Sequence, residues 1–274
     1  MTHVLLVGAG NMGFAMLRSW VTLGNHRFTV VESNEALRKR AEELGVVACS
    51  PTDDLPADKE IDILVIATKP QIVGEAVARY LPKLAANGLI ISVAAGVNIK
   101  AIMSRGEKPV AVIRSMPNTP AAIGEGMIVC CPSPEADIPM HRQTAEQLLS
   151  AVGRVAFVHD EALMDAVTAV SGSGPAYVFH FIEALSAAGV EAGLDESLAL
   201  LLAQQTVFGA AKLALEANET PSILREQVTS PNGTTAAALE ILMDRDMGLR
   251  PLLGKAVHEA KERSIELGHA SANG

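Results

Sequence analysis

Two stretches of this sequence hold residue types whose spacing could do chemistry. VLLVGAGNMG contains Gly8-x-Gly10-x-x-Gly13 between an apolar run and a helix-compatible segment. In that setting Gly8 allows a tight turn, Gly10 removes the side chain where a pyrophosphate must approach backbone, and Gly13 lets helix and strand pack closely. Gly8, Ala9, Gly10, Asn11, Met12 and Gly13 are therefore expected to hold a dinucleotide, whose phosphates would meet the amides and the positive dipole end of the following helix. The second stretch, SPNGTTAAAL, sets Ser230, Pro231, Asn232, Gly233, Thr234 and Thr235 before an Ala/Leu-rich run. Such a string starts a helix, and a helix start can also hold an anion.

Other residues belong with the glycines. The second apolar run ends at Glu32, roughly the 20 residues beyond the glycines at which a carboxylate receives an adenosine ribose diol and favours NAD. Ser33 and Asn34 follow, and Arg38, Lys39 and Arg40 lie a turn later, where they could meet a 2′-phosphate. The alternative for these residues is a helix cap followed by a solvated basic face. We expect NADP on the strength of Ser33, Asn34 and Arg38, with NAD as the alternative. Two further loops, Ala67-Thr68-Lys69-Pro70 and Ala94-Ala95-Gly96, follow apolar runs, and their small residues would let a flat ring lie against backbone.

The elements that position these loops are legible as short aliphatic runs at 3–8, 28–32, 61–68, 88–96 and 109–117. They are continuous rather than alternating, as in strands covered on both faces, which predicts an α/β, Rossmann-type doubly wound, mostly parallel sheet. Further strands are expected at 126–132 and 153–159, with a helix over roughly 135–151 between them. After residue 160 the texture becomes rich in Ala, Leu, Glu and Gln, which predicts a dinucleotide-binding domain over 1–160 and an all-helical domain over 161–274. The segment 198–217 is apolar around most of its circumference and needs a cover on its second face. A two-fold subunit interface supplies one more readily than so small a domain can.

Composition removes several classes of function. The chain has 274 residues, 49% hydrophobic and 19% charged, enough to bury a core. A formal net charge of -9 leaves no basic face for nucleic acid or an anionic membrane, so an anionic ligand needs a local donor site. Cys49, Cys130 and Cys131 form neither a disulfide framework nor a zinc pattern, and the scattered histidines lack ligand spacing. No metal site is expected. The amino-terminal residues read as a strand rather than a signal peptide, and charge-free runs such as 166–182 are broken by SGSGP. A soluble, cytoplasmic protein is expected.

GAGNMG, ATKPQ, RSMPNTP at 114–120, VTAVSGSGPAYVFHFIEAL at 167–185 and VTSPNGTTAAAL at 228–239 occur in the order and approximate spacing of Δ1-pyrroline-5-carboxylate reductases. The chain resembles that family along its whole length, and the last two motifs are specific to it. The resemblance implies reduction of the cyclic imine 1-pyrroline-5-carboxylate to L-proline by NADPH or NADH, the last step of proline biosynthesis. It also implies a helical domain that forms a homodimer, with the active site shared between protomers, and dimers that in many members assemble into rings.

By the same resemblance Ser230, Gly233, Thr234 and Thr235 form the substrate site. Amides at a helix start, with the Ser230 hydroxyl, would hold the substrate carboxylate without an arginine. Thr235 aligns with a threonine that reaches the imine nitrogen. A threonine hydroxyl is too weak an acid to be tuned to neutral pH, so orientation or proton relay is its expected role. Asn118, in the MPNTP loop, and SGSGPAY would lie beside the nicotinamide. Asn232 departs from the glycine common at its place. Two alternatives are a 3-hydroxyacid-dehydrogenase-like oxidoreductase and a non-catalytic dinucleotide sensor. The former uses a catalytic lysine entering its second domain, and residues 155–194 contain none.

Overall fold

The computed structural model describes residues 1–24, 26–52, 55, 60–104 and 109–272. Strands β1 (Thr2–Val7), β2 (His26–Val31), β3 (Val47–Cys49), β4 (Ile61–Ile66), β5 (Leu84–Ser92), β6 (Ala111–Met116), β7 (Gly126–Pro132) and β8 (Gly153–Phe157) form one sheet in the order β3-β2-β1-β4-β5-β6-β7-β8. The first six are parallel, β7 runs antiparallel to β6, and β8 is parallel to β7. The order reverses between β1 and β4, so the carboxyl end of β1 is a topological switch point, where open α/β sheets bind ligands.

Both faces of the sheet are buried, as the continuous apolar runs predict. Val4 and Leu6 of β1 belong to one hydrophobic cluster with Trp20 and Val30, and Leu5 and Val7 to the other with Leu64 and Tyr80. Helices α1 (Asn11–Trp20), α2 (Glu35–Glu42), α3 (Pro70–Tyr80), α4 (Ile99–Met103) and α5 (Pro139–Leu149) connect the strands. Trp20 is fully buried, stacks on Phe28 and donates its indole N–H to the Leu148 carbonyl at 2.7 Å, which satisfies the one polar atom it brings inside.

The chain after β8 is helical. The turn α6 (Met164–Val167) continues into a π-helical turn, Thr168–Gly172, in which the Ser173 amide donates to the Thr168 carbonyl five residues back at 2.8 Å. Then come α7 (Gly174–Glu191), α8 (Glu196–Glu216), α9 (Pro221–Gln227), α10 (Thr234–Leu242) and α11 (Leu249–Ala272). The expected boundary lies at residue 160. By contacts, the compact units are Met1–Ser173 together with the residues from Ala260 on, and Gly174–Glu259. In the first unit, Ser264 of α11 donates to the Asp165 carboxylate at 2.7 Å.

Within the second unit α7 and α8 pair closely where Gly189 faces Ala199: an added Cβ at Gly189 would lie 3.2 Å from the Ala199 Cβ. Ala199 and Ala203 are the buried residues of α8, whereas Leu201, Phe208, Leu213 and Leu215 are each more than half exposed. Among the described residues α8 is the one helix long and apolar enough to cross a membrane by length and composition.

Candidate active site

Three strand ends converge at the switch point. Gly8, just past β1, donates its amide to Val31 O of β2 at 2.8 Å, and Ala67, just past β4, donates to Val7 O at 2.8 Å. The β1–α1 turn is locked between them. Gly8 has φ +96, and a Cβ there would sit 2.5 Å from the Ala67 carbonyl oxygen. At Gly13 a Cβ would overlap the Gly8 carbonyl oxygen and lie 3.3 Å from the Ala67 Cβ, so the first turn of α1 rests directly on the loop.

Gly10 differs from both. It has φ -63 and ψ -166, a conformation open to any residue, and an added Cβ would meet nothing within 4 Å. The space over Gly10 is an open cradle at the amino end of α1, where the first amides have no helical acceptor. It opens into a cleft of about 560 Å³ lined by Gly8, Gly10, Glu32, Ser33, Ala67, Thr68 and Lys69. Thr68 Oγ1 is buried in this wall with no hydrogen-bond partner among the described residues. A buried hydroxyl with nothing to bond, beside an open glycine cradle and uncapped amides, fits a polar, phosphate-bearing ligand.

The cleft holds residues absent from the sequence-derived set. Ile72, Ala76 and Tyr80 line it from α3, opposite Leu37 and Pro51. They stand four residues apart on one helical stripe, a spacing that could have marked the face. Glu32 lines the cleft with its carboxylate held: Oε2 accepts the Ala9 amide at 2.7 Å, and Oε1 accepts the Asn34 amide at 2.9 Å and the Ser33 hydroxyl at 3.3 Å.

Several expected contacts lie elsewhere. Asn34 caps α2, accepting the Leu37 amide on Oδ1. Arg38 donates Nη1 to the carbonyls of Glu32 and Ser33, both at 2.8 Å. Asn11 and Met12 line a different cavity, of about 320 Å³, with Arg18, Arg40 and Thr119. Ala9 is wholly buried, and Pro70 is the first residue of α3, behind Lys69 at its cap. Ala94 is buried and Ala95 exposed; Gly96, at φ +72, faces the backbone of Leu267 and Gly268 in α11. Asn118 has both ends of its amide engaged: Nδ2 donates to Ser171 O at 3.1 Å, and Oδ1 accepts the Met127 amide at 2.8 Å. It tethers the π-helical turn to the start of β7.

The second unit carries the other polar loop. Gly233 is the cap of α10, and Asn232 has φ +59, the only positive value among the described non-glycine residues. Asparagine is one of the few side chains other than glycine that tolerate this left-handed backbone. The Gly233 amide donates to Ser230 O at 3.0 Å, so it closes the turn and is not a donor for a ligand. The donor set moves one residue on, to Thr234, Thr235 and Ala236, whose amides no helical carbonyl precedes. A Cβ at Gly233 would overlap Ser230 Oγ, which places that hydroxyl directly over the helix start.

A parallel sheet with a glycine turn at its switch point and a cleft over it, followed by a helical unit, defines a dinucleotide-dependent oxidoreductase of the Rossmann type. Residues 161–267 match the model for pyrroline-5-carboxylate reductase dimerisation, and residues 3–96 match that for NADP oxidoreductase, coenzyme F420-dependent. A pyrroline-5-carboxylate reductase of Synechocystis is 41% identical over 96% of this chain and 97% of its own. The solved pyrroline-5-carboxylate reductase of Coxiella burnetii superposes with a TM-score of 0.90 at 32% identity, covering 97% of this chain and 98% of that one. That of Plasmodium falciparum, solved with NADP bound, gives 0.79 at 26% identity over 97% and 98%. The chain belongs to the pyrroline-5-carboxylate reductase family.

Proposed function

We propose that this enzyme reduces 1-pyrroline-5-carboxylate to L-proline, the last step of proline biosynthesis, with NADPH or NADH as reductant. The observation that carries the reading is the open cradle at Gly10 beside the partnerless Thr68 hydroxyl. Gly8 and Gly13 shape this loop, Gly10 admits the pyrophosphate to the amides of α1, and the Ile72, Ala76 and Tyr80 stripe walls the adenosine end. The dinucleotide, when bound, supplies the hydride that adds to the imine carbon.

The residues Ser230–Thr235 bind the substrate. The Thr234, Thr235 and Ala236 amides and the Ser230 hydroxyl hold the carboxylate at the positive end of α10, so an acidic protein binds an anion locally. The Thr235 hydroxyl orients the imine nitrogen and relays its proton. Holding the ring in one pose converts an encounter into a positioned reaction, and positioning of this kind supplies the larger share of the acceleration. The helical substrate and dimerisation region begins at Glu161 and forms a homodimer that covers the outer face of α8. The buried Cys130 and Cys131 thiols, which form no disulfide, accord with a cytoplasmic location.

The test follows reduced-nicotinamide absorbance with 1-pyrroline-5-carboxylate for wild type, Thr235→Ala and Gly233→Val. Rapid oxidation by wild type, weakened in Thr235→Ala and nearly lost in Gly233→Val, is expected, because a branched side chain at 233 takes the space beneath Ser230. Cofactor binding without turnover by wild type refutes the assignment.

A further inference from the structure

The geometry points to Glu32 as the residue that selects between the two dinucleotides, favouring NADH and rejecting NADPH. The inference rests on the dinucleotide site proposed above. NADH and NADPH differ at one place, the adenosine 2′ position, which in this fold lies at the carboxyl end of the second strand. Glu32 stands immediately after β2 and lines the cleft there.

Its carboxylate is fixed from two sides, by the Ala9 amide at 2.7 Å on Oε2 and the Asn34 amide at 2.9 Å on Oε1. Two backbone donors on separate elements hold the side chain in place before any ligand arrives. After these bonds and that from the Ser33 hydroxyl, the carboxylate keeps acceptor capacity chiefly on Oε2, since its two oxygens offer about four lone-pair sites. A ribose diol can donate into that capacity. A 2′-phosphate cannot donate, and it brings a like charge against a carboxylate that is unable to swing away.

The cations that would invert this preference are engaged with other groups. Arg38 places Nη1 on the Glu32 and Ser33 carbonyls, Lys39 pairs with Glu35 at 2.7 Å, and Arg40 donates to Ala9 O while lying 3.8 Å over the Phe14 ring. Ser33 donates to Glu32 itself, and Asn34 caps α2. Of the residues from which the sequence suggests a phosphate site, Ser33 and Asn34 bond the Glu32 carboxylate, and Arg38 bonds the carbonyls of Glu32 and Ser33. The remaining cations of the cleft, Lys69 and Arg79, come from the loop after β4 and the last turn of α3. Lys69 follows a strand two places from β2, roughly 10 Å across the sheet.

The test is equilibrium binding of NADH and NADPH to the full-length protein, followed by nicotinamide fluorescence, for wild type, Glu32→Gln and Glu32→Ser. Wild type is expected to bind NADH at least tenfold more tightly than NADPH. Glu32→Gln, which keeps the shape and an acceptor but removes the charge, should reduce that ratio about tenfold, mainly by tightening NADPH. Glu32→Ser should reduce it further. Equal or tighter binding of NADPH by wild type overturns the inference while leaving the dinucleotide site standing, and so does a ratio unchanged in both variants. Failure of wild type to bind either dinucleotide overturns the site and the inference together. Because the wild-type ratio is read independently of the variants, a variant that misfolds does not shield the claim.

Discussion

Replacing Gly10 by alanine separates the ligand glycine from the folding glycines. At Gly10 the backbone already has φ -63, and the new methyl meets no atom within 4 Å. Alanine is a poorer helix cap than glycine by up to about 1 kcal/mol, but it narrows the unfolded ensemble by roughly 0.4–1 kcal/mol. The two effects nearly cancel, so the melting temperature should stay within about 3 °C of wild type. Binding should respond very differently. A methyl in the cradle holds a pyrophosphate off the α1 amides, and losing one charge-assisted hydrogen bond is worth about 1.5–3 kcal/mol, or roughly 10- to 150-fold in Kd. Gly13→Ala is the counterpart. Its Cβ overlaps the Gly8 carbonyl oxygen with Ala67 behind it, and overpacking against backbone costs about 3 kcal/mol, roughly 6–12 °C in a chain of this size. Thermal melting without ligand and fluorescence titration with NADH read the two quantities separately. If Gly10→Ala binds like wild type, or melts as low as Gly13→Ala, the assignment of roles among the glycines is wrong.

Further predictions concern the rest of the chain. Burial pushes the Cys130 thiol up to about 12 and Cys131 to about 11, so at pH 8 both should resist a thiol reagent in the native protein and react after unfolding; rapid labelling of either in the native state would contradict this. Burial also lowers the pKa of His26 and of His141 below the usual 6.5. Both are neutral in either state above that value. Below it the unfolded chain takes up protons that the folded chain refuses, so the denaturant midpoint should fall as pH drops through 6.5 and hold steady above it; a midpoint flat to pH 5.5 would contradict this. Phe208→Asp on the exposed face of α8 should convert the proposed homodimer into monomer or aggregate by light scattering, and a dimer of unchanged mass would remove that face from the interface.

Much of the fold was legible because β1, β2, β4 and β5 carry continuous aliphatic runs, and burial on both faces leaves little choice of residue. β3 escaped notice because Val47–Cys49 is three residues at a sheet edge, too short for any pattern. The glycine turn was visible by spacing, but the division of labour among its glycines was not, since it depends on how close Ala67 comes from another strand. Arg38 and Asn118 show the limit most clearly. Each is a plausible ligand group by type and position, and each has partners in the folded chain, at Glu32 and Ser33 and at Ser171 and Met127, that only tertiary contacts disclose. Asn232 was noticed as a departure, and the left-handed backbone there is one that asparagine tolerates.

In the proposed homodimer, Leu201, Phe208, Leu213 and Leu215 tie the enzyme's stability to its abundance. A helix with two small buried residues and an apolar outer row gains little from its own unit and most from whatever covers it. For such a protein, unfolding and dissociation are one equilibrium, and each tenfold dilution removes about 1.4 kcal/mol of apparent stability. A cell that makes too little of the chain would lose activity faster than it loses protein.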